Sequence, residues 1–280
     1  MKHSDKQDVF ELIDEINRCY NESQSLSDQW FDVMAKQYSH CVALAKSNNN
    51  IVGMATLTDG EAEGVGQLNV FVLPQHARQN IGANLYRTLI KRPQLQYKEL
   101  VAHTKESCFS GSAFAKRLGF EKEREVYQLT LKLSNFKSRK KRCRLEKVTK
   151  DNLHKYNKII EENLGYTLDK NGLTQMLKDS DVSTYLAYIG DNAKTPVATF
   201  TQQVRNGQSA YIYDVAVAKK MQRRGYGATV MNTCFLKLLE ADISVVELLV
   251  DKTNTAAINF YKYLGFLEED VIVQWRGSLK

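Results

Sequence analysis

The sequence predicts an α/β fold with mixed sheets, built as two tandem domains of similar layout. A strand-like segment at 210–217 leads through a glycine-containing loop into a helix-like segment at 229–239. The same order of segments occurs about 145 residues earlier in the chain. Three prolines and fifteen glycines in 280 residues also fit compact layers of helices and strands.

The loop between that strand and helix has the features of a pyrophosphate site. Backbone N–H groups converge at a helix N-terminus, which adds positive potential, and glycine allows a close approach or a positive φ. The pattern is neither the dinucleotide fingerprint, because Val230 replaces the third glycine, nor a Walker A loop. A glycine turn between strand and helix is also common without a ligand. The candidate phosphate-binding residues are Gln222, Arg223, Arg224, Gly225, Tyr226, Gly227 and Ala228.

A second motif follows about 30 residues later. A strand predicted at 245–250 is followed by Asn254 and by a helix that ends at Gly265. Apolar side chains recur at three- and four-residue spacing, so one stripe of the helix is expected to be buried. Tyr261 belongs to this stripe, and its alternative interpretation is a packed core aromatic.

Together the two motifs resemble those of the GNAT superfamily of N-acetyltransferases. The family's acetyl-CoA loop, Gln/Arg-x-x-Gly-x-Gly/Ala, is filled by Gln222, Gly225 and Gly227. The Asn, the Tyr-bearing helix and its Leu-Gly-Phe end match the other signature. The resemblance covers roughly residues 142–280 and implies acetyl-CoA as cosubstrate.

The resemblance also implies roles for particular residues. Backbone groups of Val215 and Val217 would pair with the pantetheine amides where two strands part, and an N–H near Val217 would stabilise the developing oxyanion. Tyr261 would protonate the departing thiolate. Asn254 would hold the pantetheine or the loop, or would be the N-cap of the helix.

The general base is the least defined part of the predicted site. Many family members carry a Glu on the strand before the loop, whereas this strand carries Tyr211 and Tyr213. Asp214 is the candidate base, with a structural or substrate-anchoring role as the alternative. Strand alternation places Asp214 on the face opposite Tyr213 and Val215. Together with Tyr185, the strand tyrosines line an acceptor pocket or serve packing.

The first half of the chain is predicted to be a degenerate copy. Gly82 aligns with Gly227, but Ala77 stands at the Gln position, Asn80 at the first glycine and Ala115 at the Tyr. Asn can keep a left-handed turn, yet its side chain would intrude on a phosphate. Cys108 lies near the Asn position. We therefore predict a degenerate GNAT-like domain at 1–135, a basic junction at 136–144 and a catalytic domain at 145–280.

Hydrophobic periodicity and turn residues define further elements. Helices are expected at 8–21, 27–37, 150–163 and 170–179, and strands at 41–46, 51–57, 68–74, 184–188, 196–203 and 271–275.

Composition limits the remaining possibilities. The formal net charge of +7 calls for an acidic partner, which the coenzyme A phosphates satisfy as well as nucleic acid does. Without a known nucleic-acid fold, nucleic acid is disfavoured. Five scattered cysteines predict neither disulfides nor a metal site. With no apolar span or signal core, we expect no membrane contact, a cytoplasmic location, and a monomer or homodimer.

The sequence therefore predicts an N-acetyltransferase that moves an acetyl group from acetyl-CoA to a primary amine by direct attack. The acceptor is a small molecule or a peptide of undefined identity. Two alternatives stay open at this point. One is a non-catalytic acyl-CoA-binding regulatory module, and the other is a tRNA-dependent aminoacyl transferase, which the basic junction suits and the phosphate loop disfavours.

Overall fold

A computed structural model describes residues 5–20, 28–60, 62–138, 141–176, 180–190, 193–205 and 207–279. Among these residues lie eight α-helices and eleven strands in chain order, which confirms the predicted α/β class with mixed sheets. The chain divides into two compact units, Met1–Glu125 with Val271–Lys280, and Val126–Asp270. The domain limits predicted from the sequence stay a prediction.

The first unit holds a mixed sheet. Strands β1, β2 and β3 pair antiparallel in succession, β3 pairs with β4 in parallel, and β4 pairs antiparallel with β11. Its elements are α1 Lys6–Tyr20, α2 Asp28–Lys36, β1 Val42–Ser47, β2 Asn50–Asp59, β3 Val65–Val72, α3 Ile81–Ile90, β4 Glu99–Lys105, α4 Phe109–Arg117, the start of β5 (Glu121–Lys132) and the end of β11 (Leu267–Ser278).

The second unit repeats this layout. Strands β6 to β9 pair antiparallel in succession, β9 pairs with β10 in parallel, and β10 pairs antiparallel with β5. Its elements are the end of β5, β6 Arg144–Lys147, α5 Leu153–Leu164, α6 Lys170–Met176, β7 Val182–Tyr188, β8 Ala198–Arg205, β9 Ser209–Val217, α7 Tyr226–Leu239, β10 Val245–Asp251, α8 Thr255–Leu264 and the start of β11.

Helices cover both faces of the second unit's sheet. One core joins α7 and α8 to the strands and contains the fully buried Phe235 and Phe266. The other core joins α5 and α6 to the opposite face and contains Tyr156 and Leu186, each 0% exposed. Each fully buried large apolar side chain contributes about 1.5–3 kcal/mol. Because helices hold both faces, the strand ends that carry the candidate site are fixed in place.

In each unit the final strand comes from the far part of the chain. The antiparallel register of β10 runs from Val245↔Lys132 to Asp251↔Val126. In the first unit, β4 pairs with β11 from Lys105↔Ile272 to Glu99↔Ser278. Strand β5, from the first half of the sequence, therefore completes the sheet of the second unit, and β11 completes that of the first.

The elements predicted from periodicity are present, with ends shifted by a few residues. The predicted helices at 8–21 and 170–179 correspond to α1 and α6, although 21 and 177–179 lie outside the described residues. The last strand is longer than predicted, since β11 spans Leu267–Ser278. Strands β4, β5 and β6 were not predicted. In the described part of the chain, no helix is long and apolar enough to cross a membrane.

Candidate functional site

The loop before α7 presents its backbone as a cradle. Arg223 has φ +58° and Gly225 has φ +80°, so both are left-handed. The first N–H groups of α7, on Tyr226, Gly227 and Ala228, have no acceptor inside the helix. Within the described residues, no side chain caps this helix. The predicted phosphate-binding residues are therefore together at one uncapped helix N-terminus, where an anion is favoured.

Glycine at 227 is favoured by close packing. A Cβ at this position would lie 3.2 Å from Cζ of Phe260 on α8 and 3.5 Å from Cγ2 of Val217. The N-terminus of α7 therefore lies directly against α8 and against the end of β9. Gly225, by contrast, is favoured by its left-handed φ and not by packing, because no atom lies within 4 Å of a Cβ there.

The side chain of Gln222 fixes the loop to its surroundings. Its Nε2 donates to Oδ1 of Asn163, at 2.8 Å, and to the backbone oxygen of Val217, at 3.0 Å. Asn163 lies in the last turn of α5, so Gln222 joins the loop to α5 and to the end of β9. The basic side chains Arg223 and Arg224 are exposed, as are Lys219 and Lys220.

Strands β9 and β10 part where the resemblance predicts a fork. Their parallel register covers only Val245↔Ser209, Val246↔Ala210 and Glu247↔Tyr211. Beyond Tyr211 the two described strands continue to Val217 and Asp251 without pairing to each other. Val215 and Val217 lie on the β9 side of this fork, next to the loop. We call this opening the β9–β10 fork.

Tyr261 belongs to the core beneath α8 and is electrostatically coupled to Tyr211 of β9. Tyr261 on α8 is 9% exposed, and its ring lies 5.3 Å from that of Phe260 and 5.6 Å from that of Phe266. Burial raises the pKa of Tyr261 above its ordinary value of 10, and the charge of Tyr211 adds to this. Burial likewise raises the pKa of Tyr211, which also contacts the backbone of Leu249 on β10. Both hydroxyls therefore stay protonated at neutral pH.

A β-bulge moves Asp214 away from the predicted alternation. Thr199 pairs with Ala216 and Thr201 with Tyr213, so Asp214 and Val215 both lie opposite Phe200. Asp214 has φ +53°, a left-handed value that is uncommon outside glycine. Asp214 bonds to Tyr156 on α5 whereas Val215 packs against the core of α7 and α8, so these two residues face opposite sides, as predicted. Tyr213 and Asp214 both act on Tyr166, so they lie on the same side, and this part of the prediction is wrong because the bulge inserts a residue.

The carboxylate of Asp214 lies among tyrosine hydroxyls that the sequence did not single out. The hydroxyl of Tyr156, a residue that is 0% exposed, donates to Oδ2 of Asp214 at 3.2 Å. Tyr166, just after α5, contacts both Tyr156 and Asp214, and the charge of Tyr213 also acts on it. Burial is the main reason why the pKa values of Tyr156 and Tyr166 are raised. We call Asp214, Tyr156 and Tyr166 the Asp214 cluster.

Asn254 caps α8. Its Oδ1 accepts the backbone N–H of Ala257 at 3.1 Å, which satisfies one of the N–H groups at the start of the helix. The N-cap interpretation thus has a direct geometric basis. A contact of Asn254 with pantetheine or with the loop stays a prediction.

The first unit keeps the backbone of the loop but not its side chains. Arg78 has φ +60° and Asn80 has φ +60°, close to the values at Arg223 and Gly225. Strands β3 and β4 also part, since their parallel register ends at Gln67↔Val101. Asn80 therefore does support the left-handed turn. The Tyr position is occupied by Ala115, which is 4% exposed.

The fork and the loop can now be compared with known proteins. The profile of the acetyltransferase (GNAT) family matches residues 7–120 and 149–266. The chain belongs to the GNAT acetyltransferase family. It contains two GNAT regions in tandem and is an acyltransferase of this type.

Solved structures share the fold over the whole chain. A GCN5-related N-acetyltransferase from Sphaerobacter thermophilus gives a TM-score of 0.76 at 16% identity, covering 98% of this chain and 93% of that one. A tandem GNAT protein from the clavulanic acid biosynthesis pathway gives a TM-score of 0.75 at 14% identity, covering 99% of this chain and 96% of that one.

Sequence relatives match over shorter stretches. An uncharacterized N-acetyltransferase of Methanocaldococcus jannaschii is 31% identical over 77 residues, which is 28% of this chain and 34% of that protein. An uncharacterized N-acetyltransferase of Porphyra purpurea is 30% identical over 93 residues, 33% of this chain and 52% of that protein. The matches thus span about a third of the length of the first relative and about half of the length of the second.

The described residues contain no candidate metal site. No group of three or more His, Cys, Asp or Glu side chains is placed to hold a metal ion there.

Proposed function

We propose that the chain transfers an acetyl group from acetyl-CoA to a primary amine, and that the second unit carries out this reaction. The β9–β10 fork carries the proposal, because Val217 at its β9 side packs close to the uncapped start of α7. In this proposal the free strand edge would pair with the pantetheine, the helix start would bind the pyrophosphate, and Tyr261 would protonate the thiolate.

The residues present fit the cosubstrate. Coenzyme A supplies the acetyl group as a thioester, together with phosphates that require positive potential. The N–H groups of Tyr226, Gly227 and Ala228 would hold the pyrophosphate, and exposed Arg223 and Arg224 add positive charge. The glycine at 227 lets the first turn of α7 lie close against Phe260 and Val217.

The chain's own groups would handle the protons of the reaction. A C–N bond forms as the amine attacks and the C–S bond breaks, so the amine loses a proton and the departing thiolate gains one. In this proposal Tyr261 would give the thiolate its proton, since burial raises the pKa of its hydroxyl and keeps it protonated. Asp214 would attract the ammonium, and as the candidate base it would receive the amine's proton directly or through water.

Calorimetric titration of acetyl-CoA into the purified chain tests the proposal. We expect one site per chain with micromolar affinity, abolished by Gly227→Trp, because a side chain there meets Phe260 and Val217 and would displace the first turn of α7. Gly82→Trp is the matched control, since it makes the same change at the equivalent position of the first unit. Circular dichroism of both variants checks that they fold.

The alternatives give different results in the same experiment. Loss of binding in Gly82→Trp instead would place the site in the first unit, and two sites per chain would show that both units bind. Binding without transfer to any primary amine would support a non-catalytic acyl-CoA-binding module. A chain that binds no acetyl-CoA would overturn the proposal.

A further inference from the structure

Stacked side chains form a row across β8 and β9 that ends at Asp214. The guanidinium carbon of Arg205 lies 4.4 Å from the centre of the Tyr211 ring. The rings of Tyr211 and Tyr213 are stacked, with centres 5.8 Å apart and an angle of 29° between their planes. Asp214 follows Tyr213 in sequence. The row therefore has a cation at one end and a carboxylate at the other.

The negative end of the row is held in place by two elements. The bulge gives Asp214 its left-handed backbone, a strained conformation that persists only where the surroundings enforce it. Tyr156 on α5 binds Oδ2, so the carboxylate is oriented by a buried hydroxyl. An oriented carboxylate beside the fork is a suitable partner for the ammonium form of an acceptor amine.

The positive end of the row lies just before the fork, on the paired side of Tyr211, since Arg205 pairs with Ser209. Tyr211 is the last residue of β9 that pairs with β10, and its charge acts on Tyr261. Arg205 lies on that ring and is partly exposed, with Nη2 3.5 Å from Oε1 of Gln203. A guanidinium presents N–H donors in a planar fork that matches a carboxylate or a phosphate.

The length of the row limits the ligand. The distances of 4.4 Å and 5.8 Å along the row put the guanidinium carbon of Arg205 at most about 10 Å from the centre of the Tyr213 ring, and Asp214 is the next residue. A ligand that meets both charges needs an ammonium and an anionic group separated by about this length. An acceptor with a second ammonium at that position would be repelled by Arg205.

We infer that the acceptor is an amine that also carries an anionic group, with its ammonium bound at Asp214 and its anion at Arg205. This inference rests on the proposed function, because it concerns the second substrate of the same fork. It narrows the acceptor from primary amines in general to aminocarboxylates, or aminoalkyl phosphates, of about 10 Å length. Polyamines and simple alkylamines are excluded as preferred acceptors.

Three amines of equal length test the inference. The full chain is supplied with acetyl-CoA and with 8-aminooctanoate, octylamine or 1,8-diaminooctane, and the coenzyme A released is measured by chromatography. We expect kcat/KM for 8-aminooctanoate to exceed that for each of the others about tenfold or more, the effect of one charge-assisted hydrogen bond. Aminoethylphosphonate and 4-aminobutanoate are too short to reach both ends of the row. Their kcat/KM should therefore not exceed that for octylamine.

Two arginine variants make the test specific. Arg205→Gln should bring the ratio of kcat/KM for 8-aminooctanoate and octylamine close to one. Arg144→Gln is the matched control, because Arg144 also lies on a tyrosine ring, 4.2 Å from the centre of Tyr188, and belongs to β6 rather than to the row. Arg144→Gln should keep the same ratio of kcat/KM for 8-aminooctanoate and octylamine as the unmodified chain.

Each result decides between the two proposals. Equal kcat/KM for the three amines, a preference for 1,8-diaminooctane, or a ratio that Arg205→Gln leaves unchanged overturns the inference and leaves the proposed acetyl transfer standing. No coenzyme A release with any of these amines also overturns the inference, and the calorimetric titration then judges the proposed function separately, since a chain that binds no acetyl-CoA overturns it as well.

Discussion

At the scale of single residues, Tyr261 carries the most specific chemical assignment. Replacing it with Phe removes only the hydroxyl, so we expect kcat to fall about 10²-fold or more, as for the loss of a general acid. Tyr263→Phe is the control, since Tyr263 belongs to the same helix and is 63% exposed. Steady-state kinetics with acetyl-CoA and an amine measure both. An unchanged kcat in Tyr261→Phe would show that Tyr261 is a packed core aromatic.

The pH dependence of Tyr261 follows from the direction of its shift. Burial raises its pKa above 10, so the proton that Tyr261 donates is still bound when the pH rises from 8 to 10. We expect Tyr261 to cause no loss of kcat in that interval, with any loss from this group appearing above pH 10. A pH–rate profile of the unmodified chain and of Tyr261→Phe tests this. A decline near pH 8 that is absent in the variant would contradict the assignment.

At Asp214, two substitutions separate charge from backbone strain. Asn tolerates a left-handed φ, so Asp214→Asn should leave the free energy of unfolding nearly unchanged while it lowers kcat/KM about tenfold or more. Asp214→Ala should lower kcat/KM similarly and also lose about 1–2 kcal/mol of stability, because Ala is disfavoured at φ +53°. Urea unfolding and kinetics give both quantities. Full activity in Asp214→Asn would rule out a role for the charge.

Sequence reasoning located only part of the site at this scale. The spacing of Gly225 and Gly227 was sufficient to find the loop, since glycine is favoured at a positive φ and where packing is close. The contacts of Asp214 could not be predicted, because alternation assumes a regular strand and the bulge adds one residue. The hydroxyls of Tyr156 and Tyr166 are brought to Asp214 by tertiary packing and leave no pattern in the sequence.

At the scale of elements, the loop conformation is set by the strand and helix around it more than by its own residues. The same backbone occurs in both units although Gln222 and Gly225 of the second correspond to Ala77 and Asn80 of the first. Glycine is therefore not necessary for the turn at that position. The side chains decide what the turn can bind. The first copy is therefore recognisable by its order of strand, loop and helix, although its binding and catalytic side chains are replaced.

Asn254 offers a test between capping and binding. Asn254→Ala should cost about 1 kcal/mol of stability, because the N–H of Ala257 loses its acceptor. Asn254→Ser should retain most of this stability, since Ser is a good N-cap. If Asn254 acts only as a cap, acetyl-CoA affinity measured by calorimetry should follow stability and be kept in the Ser variant. Loss of affinity in both variants would instead show direct contact with the ligand.

At the scale of the whole chain, the repeat predicted two copies but not the source of their last strands. Each copy reads as a complete series along the sequence, ending with Leu-Gly-Phe and a final strand. The structure pairs β10 with β5 and β4 with β11, so each sheet is completed from the other half of the chain. Sequence periodicity reports which residues face a core, and it does not report which of two similar cores they face.

This exchange predicts which fragment of the chain folds alone. Leu129, Leu131 and Leu133 of the β5 region are 0–2% exposed in the core with α7 and α8. A fragment 145–280 lacks all three, and each such loss costs about 2–5 kcal/mol. The sum is comparable to the 5–15 kcal/mol that stabilises an ordinary domain.

Fragment 126–270 keeps the three leucines, so it should unfold cooperatively on heating when followed by circular dichroism, whereas 145–280 should not. Fragment 126–280 is the control for the added C-terminal residues and should behave like 126–270. Cooperative unfolding of 145–280 at the same temperature as 126–270 would show that β5 is dispensable to this unit.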